Sequence, residues 1–208
     1  GILGERFGWH SAFMIVAIPG LLLVIPLLML REPLRAAAAA QAQTKRTMKD
    51  YLLFFRNRSF VLNNLSMAAM TFALGGMAQW MPTFLNRQYG VNVEYANTVF
   101  GATTVVAGIT GTLAGGWLGD WFQRKNQKGY LIVSGWGFII GAPMIVLALS
   151  APTFALCVPA ILAAEFFLFI NTGPMNTIIV NVTRPGTRAM AFAVNIFVVH
   201  PLGAAISP

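Results

Sequence analysis

The sequence predicts an all-α, polytopic membrane protein, a helical bundle with six transmembrane helices. Three observations carry that prediction. Hydrophobic residues make up 57% of the 208 and charged residues 10%, whereas a soluble domain carries about 25% charged. Residues 11–30, 59–86, 95–119 and 189–208 contain no Asp, Glu, Lys or Arg, and each can cross a hydrocarbon core about 30 Å thick. A fifth apolar stretch, 129–183, holds one charged side chain, Glu165, in 55 residues. As a single helix it would run about 80 Å, so it crosses twice, turning at "SAPT" (150–153).

The first span, 11–30, follows a short polar start and closes a segment comprising 1–30. Residues 31–58 form the one substantial polar connection. Its front half is an Ala tract, and in its back half Met48, Tyr51, Leu52 and Phe55 recur at i, i+3, i+4, i+7, with Lys45, Arg46 and Lys49 for the polar side. An amphipathic helix on the cytoplasmic membrane surface satisfies that pattern. Residues 59–208 supply the other five spans, 59–86, 95–119, 129–150, 154–181 and 189–208.

With six spans, one face carries Arg31, Arg35, Lys45, Arg46, Lys49, Arg56, Arg58, Arg124, Lys125, Lys128, Arg184 and Arg188, and the other only Arg6 and Arg87. Basic residues stay on the cytoplasmic face, so the net charge of +8 is a topology signal. Dispersed over short loops, it presents no nucleic-acid-binding module. The lone Cys157 excludes a disulfide framework, and His10 and His200 are too few and too far apart for a metal site. No cofactor is expected.

Glycines shape the spans. Gly111, Gly115 and Gly119 line one face of the third span, and Gly137 with Gly141 repeats the spacing in the fourth. Such stripes allow close helix approach in lipid. Pro19, Pro26, Pro82, Pro143, Pro159, Pro174 and Pro201 each remove a backbone donor and bend a span. Bent, closely packed helices point to a moving bundle around a cavity.

An ionised carboxylate at bilayer depth costs about 2.5–3.5 kcal/mol, so Glu165 should face a bundle interior or a wet cavity. On a helix, Thr172 and Asn176 fall within about 20° of its direction, and Phe169 shares that face. Three roles fit: proton carrier, counter-charge for a cationic substrate group, or partner of a basic residue outside this chain. A structural acid held neutral by hydrogen bonds is the alternative. Gln79 and Trp80, ahead of Pro82, and His200 in the last span are further candidate cavity residues.

The segment "GGWLGDWFQRK" (115–125) resembles the GxxxD[RK]xG[RK][RK] signature of the major facilitator superfamily, with Gly116, Asp120, Arg124 and Lys125 matching and Trp121 and Gln123 departing. Physically, Asp120 can pair with Arg124, Arg184 or Arg188, or sit against the dipole of the last span, as a cytoplasmic gate that closes in one conformer and breaks in another. Residues 4–33 resemble the superfamily's sixth span with its Gly-Trp turn. Glu165, Phe169 and Asn171, together with His200, Leu202, Gly203, Ala205, Ser207 and Pro208, resemble its spinster-like branch, from which Pro201 and Ala204 depart.

The resemblance implies a partial major facilitator fold covering about spans six to eleven of twelve, with N-terminal helices of the same protein missing. It implies an integral, multi-pass secondary transporter, in the plasma (inner) membrane if the source is bacterial. Rocking bundles around a midplane site would move a small amphiphile of lysolipid or sphingoid type, or an organic anion. Protons are the expected coupling partner and the lipid bilayer the surroundings. A passive channel or scaffold is the other reading. An intramembrane enzyme is not expected, because no nucleophile, paired carboxylate or metal cluster accompanies Glu165 and His200.

Overall fold

A computed structural model describes residues 10, 14, 17, 18, 20–26, 28, 29 and 48–205. The chain divides into two compact units, Gly1–Lys45 and Arg46–Pro208. In the first, residues 20–26 are helical with exposed apolar side chains. Residues 11–13, 15, 16, 19, 27 and 30 of the expected first span and the Ala tract lie outside the described residues, as do Ser207 and Pro208.

The second unit begins with a short helix α1 (Met48–Arg56), followed by α2 (Arg58–Tyr89), α3 (Val93–Lys125), α4 (Gly129–Ser150), α5 (Phe154–Phe169), α6 (Thr172–Val182) and α7 (Arg188–Val199). A 3-10 turn, Pro185–Thr187, precedes α7, and a π-helical turn, His200–Ala205, continues it. No strand occurs among the described residues. Among them, α2, α3, α4 and the combined run Phe154–Val182 are long and apolar enough to cross a membrane. Three-residue connections at 90–92, 126–128 and 151–153 make successive helices antiparallel.

The helices outrun the charge-free windows because their ends reach water. At 33 residues α3 is about 50 Å long, well beyond the hydrocarbon thickness. It starts with Glu94 at its positive end and finishes with Arg124 and Lys125 at its negative end, each matched to the helix dipole. Asn57 caps α2 by accepting from the backbone N–H groups of Ser59 (3.1 Å) and Phe60 (3.3 Å). Gly90, with φ 68°, ends that helix in the left-handed conformation that glycine adopts without strain.

Each face of α3 has its own task. Phe100, Thr103, Ala107, Gly111, Gly115 and Gly119 are buried, while Val105, Ile109, Leu113 and Trp117 are exposed. A helix apolar on its outer face as well as its inner one is built for lipid. One core cluster joins Met77, Met81, Leu85, Phe100, Ile161 and Leu168, and a second, nearer the basic ends, joins Phe54, Phe60, Ile179, Met190 and Val194. Phe54 docks α1 on α2, its ring 5.2 Å from that of Phe60. Tyr51 and Phe55, expected on the apolar face of α1, are exposed. The helix has two apolar sides, one for protein and one outward, and periodicity alone did not separate them.

The polar break between α5 and α6 has a covalent cause. Pro174 has no N–H to offer Ile170, four residues earlier, and its ring crowds that carbonyl. The ladder tightens there, with Asn171 N–H bonding to Leu168 O at 3.2 Å, and resumes with Met175 N–H on Asn171 O at 3.0 Å. Two glycine stripes clasp this break. A Cβ at Gly115 would land on the Ile170 carbonyl, and one at Gly137 would lie 2.8 Å from Asn171 Nδ2 and 2.9 Å from Phe167 O. Both positions therefore need glycine, and the predicted stripes of α3 and α4 converge on one spot.

Candidate functional site at the helix break

Glu165 lies on α5, one and a half turns before the break, with 0% of its surface exposed. Its Oε1 accepts the Thr104 hydroxyl of α3 at 2.6 Å. Its Oε2 is buried with no hydrogen-bond partner. The Thr104 hydroxyl also lies 2.9 Å from Phe100 O, so its single hydrogen is shared between carboxyl and backbone. One turn on, the Phe169 ring covers Gly108, at 3.8 Å from where a Cβ would stand. The face carrying Glu165 and Phe169 thus packs on α3.

Beyond it the break gathers further polar atoms. Asn171 is fully buried. Its amide donates to Phe167 O (3.0 Å) and Leu168 O (3.1 Å), carbonyls in the turn the break distorts. Asn171 Oδ1 and Thr172 Oγ1 have no partner, and Asn176 donates to Thr172 O at 2.8 Å. Glu165, Phe169, Thr172 and Asn176 therefore follow one strip along α5 and α6, while Asn171 turns toward Gly137 of α4. Glu165, Asn171 and Thr172 each keep an unpaired oxygen.

The other candidates stand apart from that strip. Gln79 is exposed, and Trp80, 56% exposed, borders a small apolar cleft with Met77, Met81, Phe84, Ile145 and Leu149. His200 is exposed in the π-helical turn, its Nδ1 3.1 Å from Ile196 O. Among the described residues no hydrogen bond joins any of the three to Glu165.

At the basic end of α3, Asp120 accepts the Tyr130 hydroxyl of α4 at 2.7 Å. Gly119 makes room for that ring, since a Cβ there would stand 2.8 Å from Tyr130 Cδ1. Lys125 lies over Trp121, 3.7 Å from the ring centroid. Arg124, Arg184 and Arg188 are exposed. The carboxylate expected to meet a loop cation is held by a phenol in this conformer.

Sequence reasoning missed Thr104, Tyr130 and a buried amide seam. Asn195 of α7 donates to Asn64 Oδ1 of α2 at 2.7 Å, Asn64 donates to Phe60 O at 2.7 Å, and Asn63 donates to Met175 O of α6 at 3.1 Å. The visible signal was three amides inside otherwise apolar spans. No group of three or more potential metal-ligating side chains occurs among the described residues.

The family model described as Major Facilitator Superfamily matches residues 1–208, the whole chain. The chain belongs to the major facilitator superfamily. Within that superfamily it is 30% identical to protein spinster homolog 1 of Xenopus tropicalis, over 96% of this chain and 41% of that protein. It is 28% identical to a sphingosine-1-phosphate transporter of Xenopus tropicalis, over 96% and 42%. Among solved structures, a bacterial homolog of the human lysosomal transporter spinster, inward-facing and unoccupied, superposes with a TM-score of 0.72 at 24% identity, over 97% of this chain and 43% of that one. The chain spans about two fifths of the length of these relatives. It is an integral, multi-pass membrane protein with the helical architecture of this superfamily. The superfamily's loop signature falls at the end of α3, where Trp121, a departure from its basic position, is the ring on which Lys125 rests.

Proposed function

We propose that the full-length protein is a secondary transporter that moves an amphiphile of sphingoid or lysolipid type by alternating access, and that Glu165 carries its proton coupling. The single observation behind this reading is the buried Glu165, one oxygen held by Thr104 and the other unpaired, in the turn before a broken helix. Superfamily membership and the names of the transporters it resembles support the activity and the substrate class.

A carboxyl sealed in one conformer and wetted in another exchanges its proton with one side of the membrane at a time, which is what coupling requires. The α5–α6 break supplies the flexible point for that change, because the helical ladder is already interrupted there. Phe169 and the apolar side chains around it suit an acyl or sphingoid chain. Asp120, Arg124, Lys125, Arg184 and Arg188 form the cytoplasmic gate, with the Asp120–Tyr130 contact exchanged for an ion pair in the other conformer. Residues 31–58 join this half to N-terminal helices that complete the cavity.

Counterflow in proteoliposomes tests the activity. Full-length protein preloaded with unlabelled sphingosine should accelerate entry of labelled sphingosine, and no trans-stimulation with sphingosine or a lysophospholipid would overturn the reading. Glu165→Gln should retain counterflow yet lose the pH dependence of net uptake. An unchanged pH profile would remove Glu165 from coupling.

A further inference from the structure

Between α1, the start of α2 and the α6–α7 turn lies a cleft of about 260 Å³, of whose lining the transport reading uses only Arg184, at the gate. Leu53, Phe54 and Val182 form its apolar wall, and Asn57, Arg184 and Thr187 its polar one. Among the described side chains that line it, none is acidic. The hydroxyl of Thr187 is spent on Arg184 O (3.1 Å), and one amide hydrogen of Asn57 on Val182 O (3.2 Å). That leaves the exposed Arg184 guanidinium, with five N–H donors, and the second amide hydrogen of Asn57. A cleft that offers a guanidinium and an amide donor, and no acceptor of like strength among its described side chains, selects an anion with several oxygens.

The surroundings say where that anion comes from. Arg56, Arg58 and Arg188 are exposed nearby in the chain, and Tyr51 and Phe55 project from α1 as an uncovered apolar edge. An edge of this kind seats a helix at the boundary between headgroups and acyl chains. In the topology expected from the sequence, these residues fall on the face that gathers 12 of the 14 basic residues, the side of anionic lipids. The volume is below the roughly 300–1,000 Å³ of pockets that engulf a small molecule, so it suits a headgroup whose chains remain in the bilayer.

We propose that this cleft binds the phosphate headgroup of an anionic phospholipid of the cytoplasmic leaflet, through Arg184 and the Asn57 amide. The lipid would bridge α1 to the α6–α7 turn. The inference stands on this cleft alone and is independent of the transported substrate.

Native mass spectrometry of the full-length protein with phosphatidylglycerol or phosphatidylcholine of identical chains tests it. Phosphatidylglycerol should be retained preferentially. Arg184→Ala should weaken that retention about fivefold, the effect of one basic residue at an anionic surface, whereas Arg87→Ala on the opposite face should not. Asn57→Asp keeps the acceptor that caps α2 but places a carboxylate in the cleft. It should also lower retention, and it carries the test should Arg184→Ala not fold. Equal retention of the two lipids, wild-type retention in the variants, or displacement of the lipid by millimolar inorganic phosphate would each overturn the proposal.

Discussion

Gly115 and Gly116 are neighbours on α3, yet the structure assigns them opposite sensitivities. A methyl group on Gly115 would fall on the Ile170 carbonyl oxygen and stand 2.7 Å from its carbon and 2.9 Å from its Cα. These are backbone atoms of the clasped break, with no rotamer to yield. Restoring an ordinary carbon contact of about 3.5 Å to the 2.7 Å carbon alone requires the break to retreat by about 0.8 Å, and the carbonyl oxygen, which lies closer, requires more. A gap of that size forfeits a quarter to a half of each dispersion contact along the seam. Overpacking of this kind costs about 1–3 kcal/mol, and the upper part of that range is expected because the obstacle is main chain. At Gly116 a methyl group meets nothing within 4 Å, and alanine is the better helix former by about 0.5–1 kcal/mol. Gly115→Ala should therefore lower the thermal midpoint of the purified full-length protein by several degrees, while Gly116→Ala leaves it level or slightly raised. Fluorescence-detected size-exclusion chromatography after graded heating reads both. Equal midpoints for the two variants would refute the close approach of α3 to the break.

Thr104→Val removes the hydroxyl donor to Glu165 and should cost about 1–3 kcal/mol in the wild-type background. In a double-mutant cycle with Glu165→Gln the penalties should depart from additivity by more than about 0.5 kcal/mol, and additive midpoints would show that the 2.6 Å contact carries no energy. Asn195→Leu strands Asn64 Oδ1 in the interior and should destabilise by about 1–3 kcal/mol, with Asn64→Leu/Asn195→Leu recovering part of the loss because neither partner is then left unpaired. Tyr130→Phe, at the water-exposed start of α4, should barely move the midpoint but should change the accessibility of a cysteine placed at position 124, one turn after a retained Asp120. An unaltered labelling rate would show that the phenol does not hold Asp120.

The four spans found among the described residues were legible because charge is nearly absent from them, and a helix in lipid leaves few other ways to write a sequence. The glycine stripes were legible too, as faces that permit close approach. What they approach was not: that Gly115 and Gly137 meet at Ile170 and Asn171 depends on how three helices assemble. Pro174 announced a bend, while the amide of Asn171 serving the distorted turn is a local adjustment with no pattern of its own. Thr104 was hidden among threonines such as Thr98 and Thr110, whose hydroxyls serve their own helix. Only the proximity of Glu165, 61 positions away, sets it apart. Trp80 and His200 were chosen for residue type within a span. Type alone does not specify rotation about a helix axis, and both turn outward from the strip that holds Glu165.

Asn57 satisfies two masters with opposite ends of one amide. Its oxygen starts α2, and its nitrogen grips Val182 at the far end of the broken helix. Serine, threonine or aspartate could begin a helix equally well, but none offers both an acceptor and an NH₂ at that reach. Any swing of α6 must therefore either drag the root of α2 along or let go of it, so the two move as linked levers until that grip slips.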